Sequence, residues 1–78
     1  MNFSIISPDT TLYQGEVSLI QLPGVDGLFE ILNQHAPLVS VLKKGKVRMI
    51  DQNNKEILIE IEGGIFEVSK NEARLFAL

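Results

Sequence analysis

Lys55-Glu56-Ile57-Leu58-Ile59-Glu60-Ile61-Glu62-Gly63-Gly64 is the stretch on which the fold turns. Ile57, Ile59 and Ile61 alternate with Leu58, Glu60 and Glu62. In an extended chain successive side chains point to opposite faces, so a period of two puts the isoleucines on one buried side. The other side becomes wetter toward Glu62, and Gly63-Gly64 breaks the run. This is a β-strand with one dry face.

The same grammar repeats outward from it. Upstream, Asp51-Gln52-Asn53-Asn54-Lys55 reads as a polar hairpin loop behind a strand at 47–50. Lys43-Lys44-Gly45-Lys46 reads as a tight basic turn, and residues 38–42 are apolar on both sides. Downstream, residues 65–68 and 73–78 predict a last hairpin around Ser69-Lys70-Asn71-Glu72, with Asn71 supplying a left-handed turn residue. Near the start, residues 3–6 form a β-branched, aromatic strand stopped by Ser7-Pro8-Asp9, and residues 10–13 a second extended piece stopped by Gly15. In residues 16–22, Val17 and Leu19 share one side while Ile20 and Leu22 share the other. That switch predicts a bulge, or a strand covered on both faces. Turn signals recur every ~8–12 residues without helical periodicity, which points to an all-β sandwich or barrel.

One stretch departs from this regularity: Pro23-Gly24-Val25-Asp26-Gly27-Leu28-Phe29-Glu30-Ile31-Leu32-Asn33-Gln34-His35-Ala36-Pro37. It sets two turn signals, Pro23-Gly24 and Asp26-Gly27, before a short apolar run, and closes on the single histidine. Pro37 fixes its own φ and biases Ala36 away from helix, so the chain leaves the segment extended. A stiff scaffold presenting one irregular loop is a common way to mount a working surface.

The totals narrow the function. Seventy-eight residues predict a single β domain over residues 1–78, near the lower size limit for independent stability. With no cysteine and one histidine, neither a disulfide frame nor a cysteine-based zinc site can help, so packing must hold the fold. A hydrophobic content of 45% supports a real core. The net charge of −3, spread along the chain, argues against nucleic-acid binding, which needs a concentrated basic face. Apolar runs of a few residues do not span a membrane, and the first residues have no signal-peptide pattern. Absence of cysteine fits a reducing compartment, with cytoplasmic as the default.

No catalytic set assembles from these residues. His35 has an unperturbed pKa near neutrality, but Ser40 and Asp26 nearby form no nucleophile motif, and a loop histidine bonded to backbone or to a partner is the reading taken. Glu30, inside an apolar run, reads as a solvent-side residue between inward Phe29 and Ile31, with partner contact as the sharper alternative. Glu60 and Glu62 are a wet sheet face, since no second carboxylate pair completes a glycosidase or metal site. Gly63-Gly64 lacks the Lys-Ser/Thr of a phosphate loop and meets a backbone need instead. Lys43, Lys44 and Lys46 read as turn solubility and edge protection. No cofactor and no small-molecule substrate are expected.

What remains is an apolar surplus. Several strands are apolar on both sides, and a two-layer sandwich this small has one interior. The spare face must be covered by something else, so the residues describe a binding module, with Leu22 and Val39 expected among the outward apolar contacts.

In sequence order, Ser7-Pro8-Asp9, Leu12-Tyr13-Gln14-Gly15-Glu16-Val17, Leu22-Pro23-Gly24-Val25-Asp26-Gly27-Leu28-Phe29-Glu30-Ile31-Leu32 and His35-Ala36-Pro37-Leu38 resemble the epsilon subunit of the F-type rotary ATP synthase. Lys44-Gly45-Lys46-Val47-Arg48 and Gly63-Gly64-Ile65-Phe66-Glu67-Val68 extend the resemblance over essentially the whole chain. It implies a flattened β-sandwich of about ten short strands, without the family's C-terminal two-helix hairpin. It implies a noncatalytic rotor subunit of a proton-translocating synthase, peripheral to the cytoplasmic face of a bacterial inner membrane. One side would pack on the gamma subunit and one end would rest on the c-ring loops, with Asp26, Leu28 and His35 as contacts. Glu30 and Asn33 stand where the family commonly has glycine and proline, which implies a less kinked strand and a more mobile loop after it. The alternative is a free-standing β-sandwich adaptor or carbohydrate-binding module, which would display a stacking platform of aromatics. Tyr13 is the single tyrosine, tryptophan is absent, and the four phenylalanines lie mostly in strand patterns. A small hydrolase using His35 is the third reading, and would lose its activity on His35→Ala.

Overall fold

The computed structural model describes residues 1–78 as strands and short connections, with no helix. In chain order the strands are β1 (Asn2–Ile6), β2 (Thr11–Gly24), β3 (Gly27–Leu32), β4 (Leu38–Asp51), β5 (Glu56–Ser69) and β6 (Glu72–Ala77). They hydrogen-bond in the order β1-β6-β5-β4-β2-β3, and a further β1–β2 pairing closes the sheet into a barrel. Every pairing is antiparallel except the parallel β1–β6.

Six strands replace the ten short ones expected, because β2, β4 and β5 each run 14 residues through what the sequence punctuates as breaks. Gly15 does not stop β2. Lys43-Lys44-Gly45-Lys46 is not a turn: β4 pairs with β5 in one register from Leu38↔Val68 to Ile50↔Glu56, straight across it. Gly63-Gly64 is a corner within β5, with φ of 130° and 155°. A Cβ on Gly64 would lie 2.3 Å from the carbonyl oxygen of Phe76, so only glycine lets β6 approach here. Bent strands serve two faces of a flattened barrel. The front face holds β1, β6, the second half of β5 and the first half of β4. The back face holds β3 with the second halves of β2 and β4 and the first half of β5.

The predicted bulge in β2 is present, as register shifts against β4 between Val17 and Leu19 and between Gln21 and Gly24. The first shift turns Val17 to the same interior as Ile20 and Leu22, and all three are buried. The turn Lys70-Asn71 takes positive φ at both residues, 52° and 61°, so Asn71 behaves as predicted and Lys70 joins it.

Sixteen buried apolar residues form one core, with Phe3, Phe66, Ile5, Ile20, Leu22, Ile31, Met49, Leu75 and Val47 fully enclosed. Phe66 anchors it, meeting Phe3 and Phe29 edge-on at 6.3 and 6.2 Å between ring centres. Each such side chain contributes roughly 1.5–3 kcal/mol on burial.

Candidate functional site

The front face carries the apolar surplus on its outer side. Alternation sends Leu42, Phe66, Val68, Ala73, Leu75 and Ala77 inward, which obliges Val39, Val41, Ile65 and Phe76 to point outward. Register then aligns them: Val41 lies opposite Ile65, Ile65 opposite Phe76, and Phe76 beside Ile6. At ~4.8 Å per strand, that row of three spacings is ~14 Å long. Val25 adds to its end, since its N–H donates to the Val41 carbonyl at 3.1 Å. Val39, one row back, is 69% exposed. The ion pair Arg74–Glu67, 3.3 Å, borders the row on that side. A contiguous apolar row across four strands is the kind of surface that marks a contact with another molecule.

The second surface is the β2–β3 hairpin. The expected irregular loop is in fact a tight turn, with Val25 and Asp26 at its tip and Gly24 opposite Gly27. Gly27 takes φ 129°, which lets β3 begin at once. β3 then pairs with β2 without a register shift, as an unkinked strand should. Asp26 and Leu28 stand exposed at the tip. Glu30 is on the solvent side, between half-buried Phe29 and buried Ile31, and accepts a hydrogen bond from Gln21 Nε2 at 3.4 Å.

His35 is at the other end of β3, in the loop to β4. Asp26 and His35 are separated by the whole six-residue strand, ~20 Å at ~3.3 Å per residue. The loop is tied down where it starts: Asn33 Oδ1 accepts from the Met1 ammonium at 2.6 Å, and the Gln34 N–H donates to Asn71 Oδ1 at 2.9 Å. His35 is exposed, and its Nδ1–H donates to the Ala36 carbonyl at 2.7 Å. That is the backbone-bonded loop histidine expected from the sequence.

The structure thus gathers Asp26, Leu28 and Glu30 on one hairpin, sets His35 apart from them, and places Val39 on the apolar face. Leu22 is the correction. It is fully buried, because the bulge rotates the second half of β2 and turns Leu22 into the core. Sequence reasoning missed Val41, Ile65 and Phe76. In residues 73–78 Ala73 and Ala77 face in with Leu75 while the larger Phe76 and Leu78 face out, which blurs the size cue a strand pattern offers. Only the cross-strand register assembles them into a row. Of the aromatics, Phe3 and Phe66 are fully buried, Phe29 and Tyr13 pack against the core, and Phe76 alone is exposed, so no stacking platform forms. Burial first and Asp51 second push the Tyr13 phenol above its ordinary range.

Residues 1–78 match the family described as ATP synthase, Delta/Epsilon chain, beta-sandwich domain. The chain is 48% identical over 71 residues to the ATP synthase epsilon chain of Chlorobium limicola, covering 91% of itself and 81% of that protein. It is 34% identical over 77 residues to the epsilon chain of Caulobacter vibrioides, covering 99% and 88%. Against the epsilon chain of Leptospira borgpetersenii it is 46% identical over 71 residues, and spans 91% of itself but 55% of that protein. Among solved structures, a chain of the Euglena gracilis mitochondrial ATP synthase (OSCP/F1/c-ring, rotational state 1) has the same fold, with a TM-score of 0.90 at 19% identity. This chain is covered to 96% and that one to 48%. A chain of the Tetrahymena thermophila central stalk/c-ring structure gives 0.81 at 18% identity, covering 100% and 63%.

Proposed function

This chain belongs to the delta/epsilon β-sandwich family of ATP synthase, and from that premise we propose that it is a central-stalk rotor subunit that clamps the gamma subunit to the c-ring. The observation that carries the reading is the outward row Val41–Ile65–Phe76, extended by Val25 and Val39. An apolar surface held on four hydrogen-bonded strands is suited to a permanent protein contact, and the gamma shaft is its occupant. An ordinary interface of ~800 Å² per partner is within reach of a domain this size.

The tip residues Asp26 and Leu28 meet the polar c-ring loops. Since His35 stands a full strand away from them, it does not share that contact; His35 and Val39 are assigned to gamma. Glu30 stays on the flank of the hairpin. The subunit acts mechanically and does no chemistry of its own. A closed sheet around a core packed at near-crystal density deforms little, so torque from ion-driven ring rotation passes to gamma without slip. The ion-carrying carboxylate, the nucleotides and their cofactors belong to other subunits. The location that follows is the cytoplasmic face of the bacterial inner membrane, held there through the complex.

Mixing the chain with purified gamma subunit tests this directly. A stoichiometric complex on size exclusion is expected, lost on Val39→Asp or Ile65→Asp while the β-sheet circular dichroism persists. If micromolar mixtures elute as separate peaks, the rotor assignment fails.

A further inference from the structure

Two strand segments of the back face have an edge without a neighbour. β3 pairs with β2 alone, and no other strand lies beside it. The first half of β5 pairs with β4 alone, since β6 joins only from Gly64 onward. The β5 edge is guarded: Glu56, Glu60 and Glu62 line it, and the corner at Gly63-Gly64 ends it. Charges and distortions along an edge discourage pairing with other chains. The β3 edge carries only one such device, a single carboxylate. Gly27–Leu32 reads GLFEIL, with no proline, no lysine and no register shift. On its outer side Leu28, 66% exposed, and Leu32, 55% exposed, flank the single charge, Glu30.

That pattern also selects the partner. Antiparallel pairing of β3 with a second copy, centred on the strand, sets Leu28 against Leu32 but Glu30 against Glu30, and like charges directly opposite destabilise a sheet. Sliding the register by one pair sets the carboxylate against a leucine. A cation on the incoming strand satisfies Glu30, and apolar residues two positions to either side cover Leu28 and Leu32. We propose that the β3 edge is a strand-addition site for an extended segment of a partner protein, of the pattern apolar–x–Lys/Arg–x–apolar, with its cation opposite Glu30. The site is distinct from the apolar row on the front face and does not depend on which subunit covers that row; it shares Leu28 with the c-ring contact proposed above.

The test titrates the isotope-labelled chain with the synthetic peptide acetyl-Thr-Leu-Thr-Lys-Thr-Leu-Thr-amide, and with its counterpart carrying Glu in place of Lys. The symmetric sequence serves either strand direction. Amide resonances of Gly27–Leu32 should shift and their hydrogen exchange should slow, while residues 56–62 stay unchanged. A cross-strand ion pair predicts that the Lys peptide binds roughly two- to fivefold tighter. Glu30→Lys should invert that preference, which separates the charge contact from any general loss of fold. Equal affinity for the two peptides, shifts centred on Val41, Ile65 and Phe76, self-association through β3, or no change at millimolar peptide would each overturn the assignment.

Discussion

The front and back faces obey the same register rules yet present opposite surfaces. On the front, in-register outward neighbours are Val41, Ile65 and Phe76. On the back, they are Glu30, Gln21 and Arg48, with Leu58 at the end of the row. The back face is polar where the front is apolar: Arg48 pairs with Glu56, neutral Gln21 donates to Glu30, and Lys46 lies opposite Glu60 in register. Exposed pairs of this kind contribute ~0–1 kcal/mol each and chiefly keep a surface wet. β-geometry therefore dictates that half of each strand faces out, and leaves open what it shows there. A face of uncovered valine, isoleucine and phenylalanine has a partner to find; a face of charged and polar side chains keeps its solvent, except along the open β3 edge.

The largest test of that contrast reaches behind both faces. Leu22 and Val39 look alike in sequence but differ wholly in burial, 0% against 69% exposed. Leu22→Ala should cost ~2–5 kcal/mol in a urea melt, whereas Val39→Ala should stay within ~0.5 kcal/mol. Equal costs would mean the bulge in β2 is misplaced. Gly64→Ala belongs with the large effects, since the positive φ alone adds ~1–3 kcal/mol before the clash with Phe76 is counted.

Next in size is Ile65→Asp on the front face. A central apolar contact of this type is expected to supply at least ~2 kcal/mol to a complex with gamma, about thirtyfold in affinity, with the thermal midpoint nearly unmoved. The smallest effect should come from the back. Arg48→Ala should change stability by no more than ~1 kcal/mol and leave the gamma complex intact, as read by the same melt and the same elution profile. If Arg48→Ala rather than Ile65→Asp dissociates gamma, the two faces have been exchanged.

How much of this was legible beforehand can be followed residue by residue. The alternation at residues 57–62 was sufficient for β structure, and the turns at residues 51–55 and 69–72 are where their polar residues put them. Glycine and lysine at 43–46 were misleading, because the residue types that end a strand are also those that let one bend without clash. At Gly45 a Cβ would stand 2.9 Å from the Pro23 side chain, so this glycine serves close packing inside a continuous strand. The role of Leu22 was hidden for a related reason. A bulge is an event between two strands, and its effect on facing cannot be assigned until the partner's register is known.

From its residues alone, this chain determined that it would be all β, that packing without disulfides would hold it together, and that it had more apolar side chains than one small interior could take. Those properties follow from local alternation and from totals, which need no partner strand. Pairing between distant segments decided the rest: six bent strands in a closed barrel, Leu22 inside, and Val41, Ile65 and Phe76 brought into one row. A shift of one residue reverses every side chain along a strand, so the face a residue finally shows is settled only when the sheet closes.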